Sequence, residues 1–383
     1  MNTRIPVACL LLGAVTAGLS PAQRKEVIGY YPSWRGRDRN SLVSPATIPY
    51  DKLTIINYAF FAPGPDGTIA GKDSAGDALC LRGAPGSTLT DLSHRHGVKV
   101  LLSLGGWDDS DNFPAVASAP RLRSAFAHAC VAAIREYGFD GIDIDWEFPG
   151  YAEHRGTPDD RRNFTILLRT LRDSLTAYGR LTRGRYLLTA ALPAEQSHAA
   201  NIEVQEIAGI LDQLSLMTYD FSGPWDPRSY HNSPLYASQV ADSGRSLDGA
   251  FRLYHRTYGI PADRINLGVA FFGKTFTRCT ALNAPHEGAD TAHFPIGLYY
   301  EILNNMGKFE RRWDDQAKVP YLVSTEWNML VTYDDPESVR AKATYALENG
   351  IHGFIIWELT GDHLPDGTTP LLDAIDSTFR ASR

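Results

Sequence analysis

The chain has 383 residues, 43% of them hydrophobic and 21% charged, with a formal net charge of −7. Such a chain is globular and can bury a large core, as one big α/β barrel or as two ordinary domains. The negative balance argues against nucleic acid or an anionic membrane as partner and suits a neutral, sugar-like substrate.

The first 22 residues place Arg4 ahead of an apolar run to about Leu19, with small residues before a cut after Ala22. This is the pattern of a secretory signal, and the run is short for a membrane span. The mature protein, 23–383, is therefore expected to be soluble and secreted, either extracellular or periplasmic. Cys9 precedes most of the apolar run, the wrong place for a lipid-anchored cysteine. Cys80, Cys130 and Cys279 are an odd set without a CxxC spacing or a Cys/His cluster, which excludes a full disulfide framework and argues against a structural zinc. One disulfide plus a thiol, and three buried thiols, both remain open.

Short β-type apolar runs then recur along the chain at 26–31, 52–61, 99–106, 139–147, 185–193, 211–220, 265–273 and 353–359. Helical periodicity fills most of the gaps, at 87–96, 117–137, 158–179, 202–210, 237–258 and 334–349, and again at 369–381. Strands alternating with helices imply parallel pairing, and eight such units predict an α/β fold of the (β/α)8 TIM-barrel type. A doubly wound open sheet is the competitor, weakened by the lack of a glycine-rich phosphate turn after the first strand. Residues 274–333 are too many for a plain loop and read as a small inserted subdomain after strand seven, with a helix near 297–307.

Strand four, within DGIDIDWEFPG (140–150), carries acids at every second position. A period of two sends Phe139, Gly141, Asp143, Asp145 and Glu147 to the barrel interior, and Asp140, Ile142, Ile144 and Trp146 toward the helices. Glu147 then reaches the carboxyl-end mouth, where barrels carry their chemistry, with both aspartates beneath it. Acids stacked this closely cannot all be ionised, so one is expected to hold a proton near neutral pH. A solvated edge strand is the alternative, and the two isoleucines that need burial on the other face argue against it.

FDGIDIDWE resembles the DxxDxDxE motif of family 18 glycoside hydrolases, the chitinase family. VIGYY in strand one, SLGGW (103–107) in strand three, MTYD (217–220) in strand six and IWEL (356–359) in strand eight resemble the same family in the same order. So does 333–350. The likeness spans roughly 26–375 and is nearest to secreted bacterial chitinases with a shortened insertion. It implies retaining hydrolysis in which the 2-acetamido oxygen of the sugar attacks its own anomeric carbon, giving an oxazolinium ion. The usual nucleophilic carboxylate is then unnecessary. Glu147 would protonate the leaving oxygen and later activate water. Asp145 would bind the acetamido N–H, Asp143 would share a proton with Asp145, and Tyr219 would donate to the acetamido carbonyl. Tyr30 and Ser103 would contact Asp143, while Met217 and Asp220 would line the pocket. Asp140 faces the other way and reads as structural.

Seven tryptophans add a second signal, since flat aromatic faces suit the apolar faces of sugar rings. By resemblance Trp357 floors the cleavage-site sugar, and Trp34, Trp107 and Trp225 stand at the mouth. Trp146 is expected to pack against helices, and Trp313 and Trp327 are unassigned. Many relatives carry Tyr-Gly-Arg at the end of strand seven where this chain has Phe272, Gly273 and Lys274, which puts some polar contacts in doubt. No HExxH, G-x-S-x-G or phosphate loop competes, so no metal or other cofactor is expected. HRH at 94–96 reads as a solvated helix end. The expected partner is chitin or a chitooligosaccharide, met by a monomer, with no nucleic acid and no membrane. A lectin-like barrel that binds such sugars without cutting them is one alternative. An endo-β-N-acetylglucosaminidase acting on N-glycans or peptidoglycan is another.

Overall fold

The computed structural model describes residues 24–238 and 244–382, so the signal-sequence reading and Cys9 lie outside the described residues. Eight parallel strands close into a barrel: β1 (Glu26–Pro32), β2 (Ile55–Pro63), β3 (Lys99–Gly105), β4 (Gly141–Asp145), β5 (Leu187–Pro193), β6 (Gln213–Met217), β7 (Ile265–Ala270) and β8 (Gly353–Trp357). Each pairs with its neighbours in order, and β1 meets both β2 and β8, which closes the ring. The (β/α)8 expectation therefore holds.

The strands are apolar on both faces because each face packs something. Ile28, Tyr30, Ile55, Leu101, Ala191, Met217 and Ile355 fill the barrel interior, while Ile142, Ile144 and Trp146 join the larger core between barrel and helices. Phe139 belongs to that outer core too, against Tyr58 and Tyr137, so its assignment to the interior is corrected. It precedes the regular strand, which starts at Gly141, so the period of two does not reach it. In β2 the register against β3 shifts between Tyr58 and Phe61. Both Ala59 and Phe60 thereby join the interior, an outcome no alternation could foresee.

The helix Asp160–Thr182 shows why the surround forms. Phe164, Leu167, Leu168, Leu171 and Leu175 recur on one buried stripe. The segment 117–137 is split, with Phe113–Ser118 ending two residues before Pro120 opens Pro120–Tyr137. Segment 237–258 holds Leu247–Arg252, capped by Ser246, and a short π-turn, and 239–243 lie outside the described residues. A helix at Ser74–Leu81, capped by Asp73, and a short strand at Ile69–Gly71 escaped the sequence reading, being too brief to show a period. His94 is 2.8 Å from Asp140 and His96 stacks on Tyr50, yet all three residues of HRH are exposed at the end of the helix Leu89–Arg95, as the solvated-end reading expects.

After β7, four antiparallel strands form a second sheet in the order Glu310–Asp314, Val319–Ser324, Met329–Thr332, Lys274–Thr277. Phe276, Cys279, Val323 and Leu330 make its own small core. Tyr299–Asn305 is a helix in the same stretch. Cys80, Cys130 and Cys279 are buried free thiols.

Candidate active site

The register of neighbouring strands builds the site. Ser103 of β3 lies beside Asp143 of β4, Gly105 beside Asp145, and Thr189 of β5 on the other flank of Asp143. Tyr30 and Ser103 both donate to Asp143 Oδ2 at 2.8 Å, and Thr189 donates to Oδ1 at 2.6 Å. Burial pushes this carboxyl up, and the three hydroxyls pull it back toward the ionised form.

Asp145 sits above it, buried, with no hydrogen-bond partner on Oδ1. Asp143 accepts two of the hydroxyl hydrogen bonds on Oδ2 and one on Oδ1, three of the about four that a carboxylate can accept. Burial, then the charges of Glu147 and Asp143, raise Asp145 well above the usual carboxylate range. Glu147 is half-buried, and burial followed by Asp220 and Asp108 pushes it up to about 8. Its backbone N–H donates to Ser110 Oγ at 2.9 Å, and its carbonyl oxygen lies 2.6 Å from His154 Nδ1. The mouth residue is thus held by its main chain while its carboxyl is left to act.

SLGGW requires both of its glycines. Gly105 has φ 108°, and a Cβ there would fall 2.2 Å from the Asp145 carbonyl oxygen. Gly106 has φ 81°, and a Cβ there would lie 2.6 Å from the Phe60 ring.

Aromatic side chains line the opening. Trp357 stacks on Phe60 at 5.6 Å and leans on Tyr30 at 5.7 Å. Trp34 touches Phe60 at 6.3 Å. Trp107 is 49% and Trp225 61% exposed. Tyr151 and His154 pack on Trp107. Tyr219 meets Phe272 edge-on at 5.7 Å, Met217 lies in the interior cluster, and Asp220, at φ 58°, points its carboxylate to Lys274 at 2.7 Å. The Lys274 ammonium lies 5.0 Å from the Trp225 ring centre and 4.9 Å from that of Phe272.

The structure therefore brings Asp143, Asp145, Glu147, Tyr219, Tyr30, Ser103, Met217, Asp220, Trp34 and Trp357 to one end of the barrel, with Trp107 and Trp225 at its rim. Trp146 is buried between Phe113 and Phe164, away from it. Sequence reading missed Thr189, Phe60 and His154. Thr189 has the inward parity of Leu187 and Ala191 and was within reach of the argument used for strand four. Among the described residues no group of His, Cys, Asp and Glu could hold a metal ion, and no helix is long and apolar enough to cross a membrane.

The sequence profile of "Glycosyl hydrolases family 18" matches residues 26–362. "Chitinase A1" of Niallia circulans is 34% identical over 89% of this chain and 57% of its own, so the chain spans little more than half of that relative. "Endochitinase 1" of Metarhizium robertsii is 30% identical over 91% of this chain and 88% of its own. Among solved structures, the Ostrinia furnacalis Group IV chitinase in complex with allosamidin superposes with a TM-score of 0.83. It is 30% identical, over 93% of this chain and 99% of that one. Chitinase ChiA74 from Bacillus thuringiensis gives 0.82 at 30% identity, over 94% and 70%.

Proposed function

The chain belongs to glycosyl hydrolase family 18, and from that premise we propose that it is a secreted chitinase. It would cleave β-1,4 bonds between N-acetylglucosamine units with retention, through an oxazolinium ion formed by the substrate's own acetamido group. The observation that carries this reading is the ladder of three acids in three different environments. Glu147, with its pKa pushed up to about 8, is protonated at neutral pH and can give its proton to the leaving oxygen. Once deprotonated it is the base for the incoming water. Asp145, with a buried unpartnered oxygen, can accept the acetamido N–H and balance the positive charge of the oxazolinium. Asp143, fixed by Tyr30, Ser103 and Thr189, anchors the ladder from beneath. Tyr219 would donate to the acetamido carbonyl, and Trp357, stacked on Phe60, would be the floor for the reacting sugar. Asp220 and Met217 border the same pocket, and Trp34, Trp107 and Trp225 offer faces to further sugars.

The relatives named above as chitinases and the apolar faces at the mouth both favour chitin over other N-acetylated glycans. Export rests on residues 1–22. The test is release of new reducing ends from a soluble chitin oligosaccharide by the purified mature chain. Glu147→Gln is expected to bind the sugar normally and lose turnover about 10²–10⁴-fold, and Asp145→Asn about 10²–10³-fold. Activity within tenfold of the parent in either variant would overturn the assignment.

A further inference from the structure

Trp34 lies in the short turn Ser33–Arg37 that follows β1, Trp357 ends the adjacent strand β8, and each is followed at once by a charged residue. Arg35 Nε donates to Glu358 Oε1 at 3.0 Å, and the two side chains are only 13% and 2% exposed. The pair is tied at both ends, since Arg35 also donates to Asp38 at 2.9 Å and Thr360 Oγ1 to Glu358 Oε1 at 3.1 Å. Glu358 Oε2 is buried without a partner. Burial pushes this carboxyl up to about 7 against the pull of Arg35. A buried ion pair with an unsatisfied oxygen is a poor source of stability, because desolvation offsets most of the attraction. What the pair does is join two loops end to end, the one leaving β1 and the one leaving β8. Phe60 forms a second bridge, stacked on Trp357 at 14° and in contact with Trp34. The two tryptophans are thus linked once through their backbones by a guanidinium–carboxylate bond and once through an aromatic ring.

We propose that Arg35 and Glu358 are positioning residues whose ion pair locks the Trp34 and Trp357 faces in one relative orientation, so that a bound oligosaccharide is held beyond the sugar being cleaved. The pair touches no sugar and acts through Trp34. The inference rests on the reading of Trp357 as the floor of the reacting sugar, but it concerns binding and not the chemical step.

The test measures binding by tryptophan fluorescence in the Glu147→Gln background, so that turnover plays no part. The probes are N,N′-diacetylchitobiose and a chitin hexasaccharide, with and without Arg35→Met. The expected result is about tenfold weaker hexasaccharide binding, with the disaccharide changed less than twofold. Trp34→Ala should give the same selective loss, and adding Arg35→Met to Trp34→Ala should cost nothing further. If Arg35→Met fails to fold, Arg35→Lys, which keeps the charge but not the guanidinium geometry, is expected to show a smaller loss of the same length dependence. Equal losses for both probes, no loss, or losses that multiply in the double variant would overturn the proposal. A parent enzyme that binds but does not cleave would sink the proposed function and leave this comparison intact.

Discussion

The cleft charges around Glu147 make a prediction with opposite signs for two neighbouring residues. Glu147 must carry its proton to act as acid, so activity is lost as pH rises through its pKa, which the structure puts at about 8. After burial, the largest cause of that rise is the Asp220 carboxylate, and Asp220 is itself paired with Lys274 at 2.7 Å. Asp220→Asn removes a negative charge from the cleft and should move the basic limb of the pH profile down. Lys274→Met removes the counter-charge, leaves Asp220 unbalanced, and should move the limb up. A unit charge across a cleft at an effective dielectric of about 20 is worth on the order of 1–2 kcal/mol. The Asp220 side chain is 46% exposed, so solvent and Lys274 screen most of that. At about 1.4 kcal/mol per unit, roughly half a pH unit remains in each direction. The assay is kcat/KM against pH on a soluble chitin oligosaccharide at low and at 1 M salt, which reports the free enzyme. High salt should shrink both shifts. Limbs that stay put, or that move the same way in both variants, would refute the electrostatic reasoning.

Two further outcomes concern the scaffold. Trp146→Ala should destabilise the fold by about 3 kcal/mol in urea unfolding, because a buried ring stacked on Phe113 is lost. Trp146→Phe should be nearly neutral, since it keeps a ring there and removes an indole N–H that has no partner. Lys342→Met should cost about 3–5 kcal/mol, as it strands the buried Asp334 carboxylate that Lys342 meets at 2.6 Å.

The barrel was legible because its signal is repeated eight times and each strand is long enough to show both faces. The acid ladder was legible for the same reason, since Asp143, Asp145 and Glu147 share a parity that only a strand explains. What escaped has identifiable causes. Phe60 turns inward because the register of β2 shifts beside β3, and alternation carries no record of a shift. Phe139 was misplaced by running the same alternation past the end of regular pairing. The partnerships Arg35–Glu358 and Lys274–Asp220 join residues 323 and 54 positions apart, and nothing local in either stretch marks its partner. Thr189 differs, because its inward parity was readable, and only its register beside Asp143 needed the structure.

The central claim is that the substrate supplies its own nucleophile over this ladder of acids. The most direct measurement is time-resolved proton NMR of the anomeric signals while the enzyme cuts a soluble chitin oligosaccharide. The account predicts that the new reducing ends appear first as the β-anomer and only later equilibrate. Initial release of the α-anomer would mean direct attack by water with inversion, and would contradict the roles given to Asp145 and Glu147.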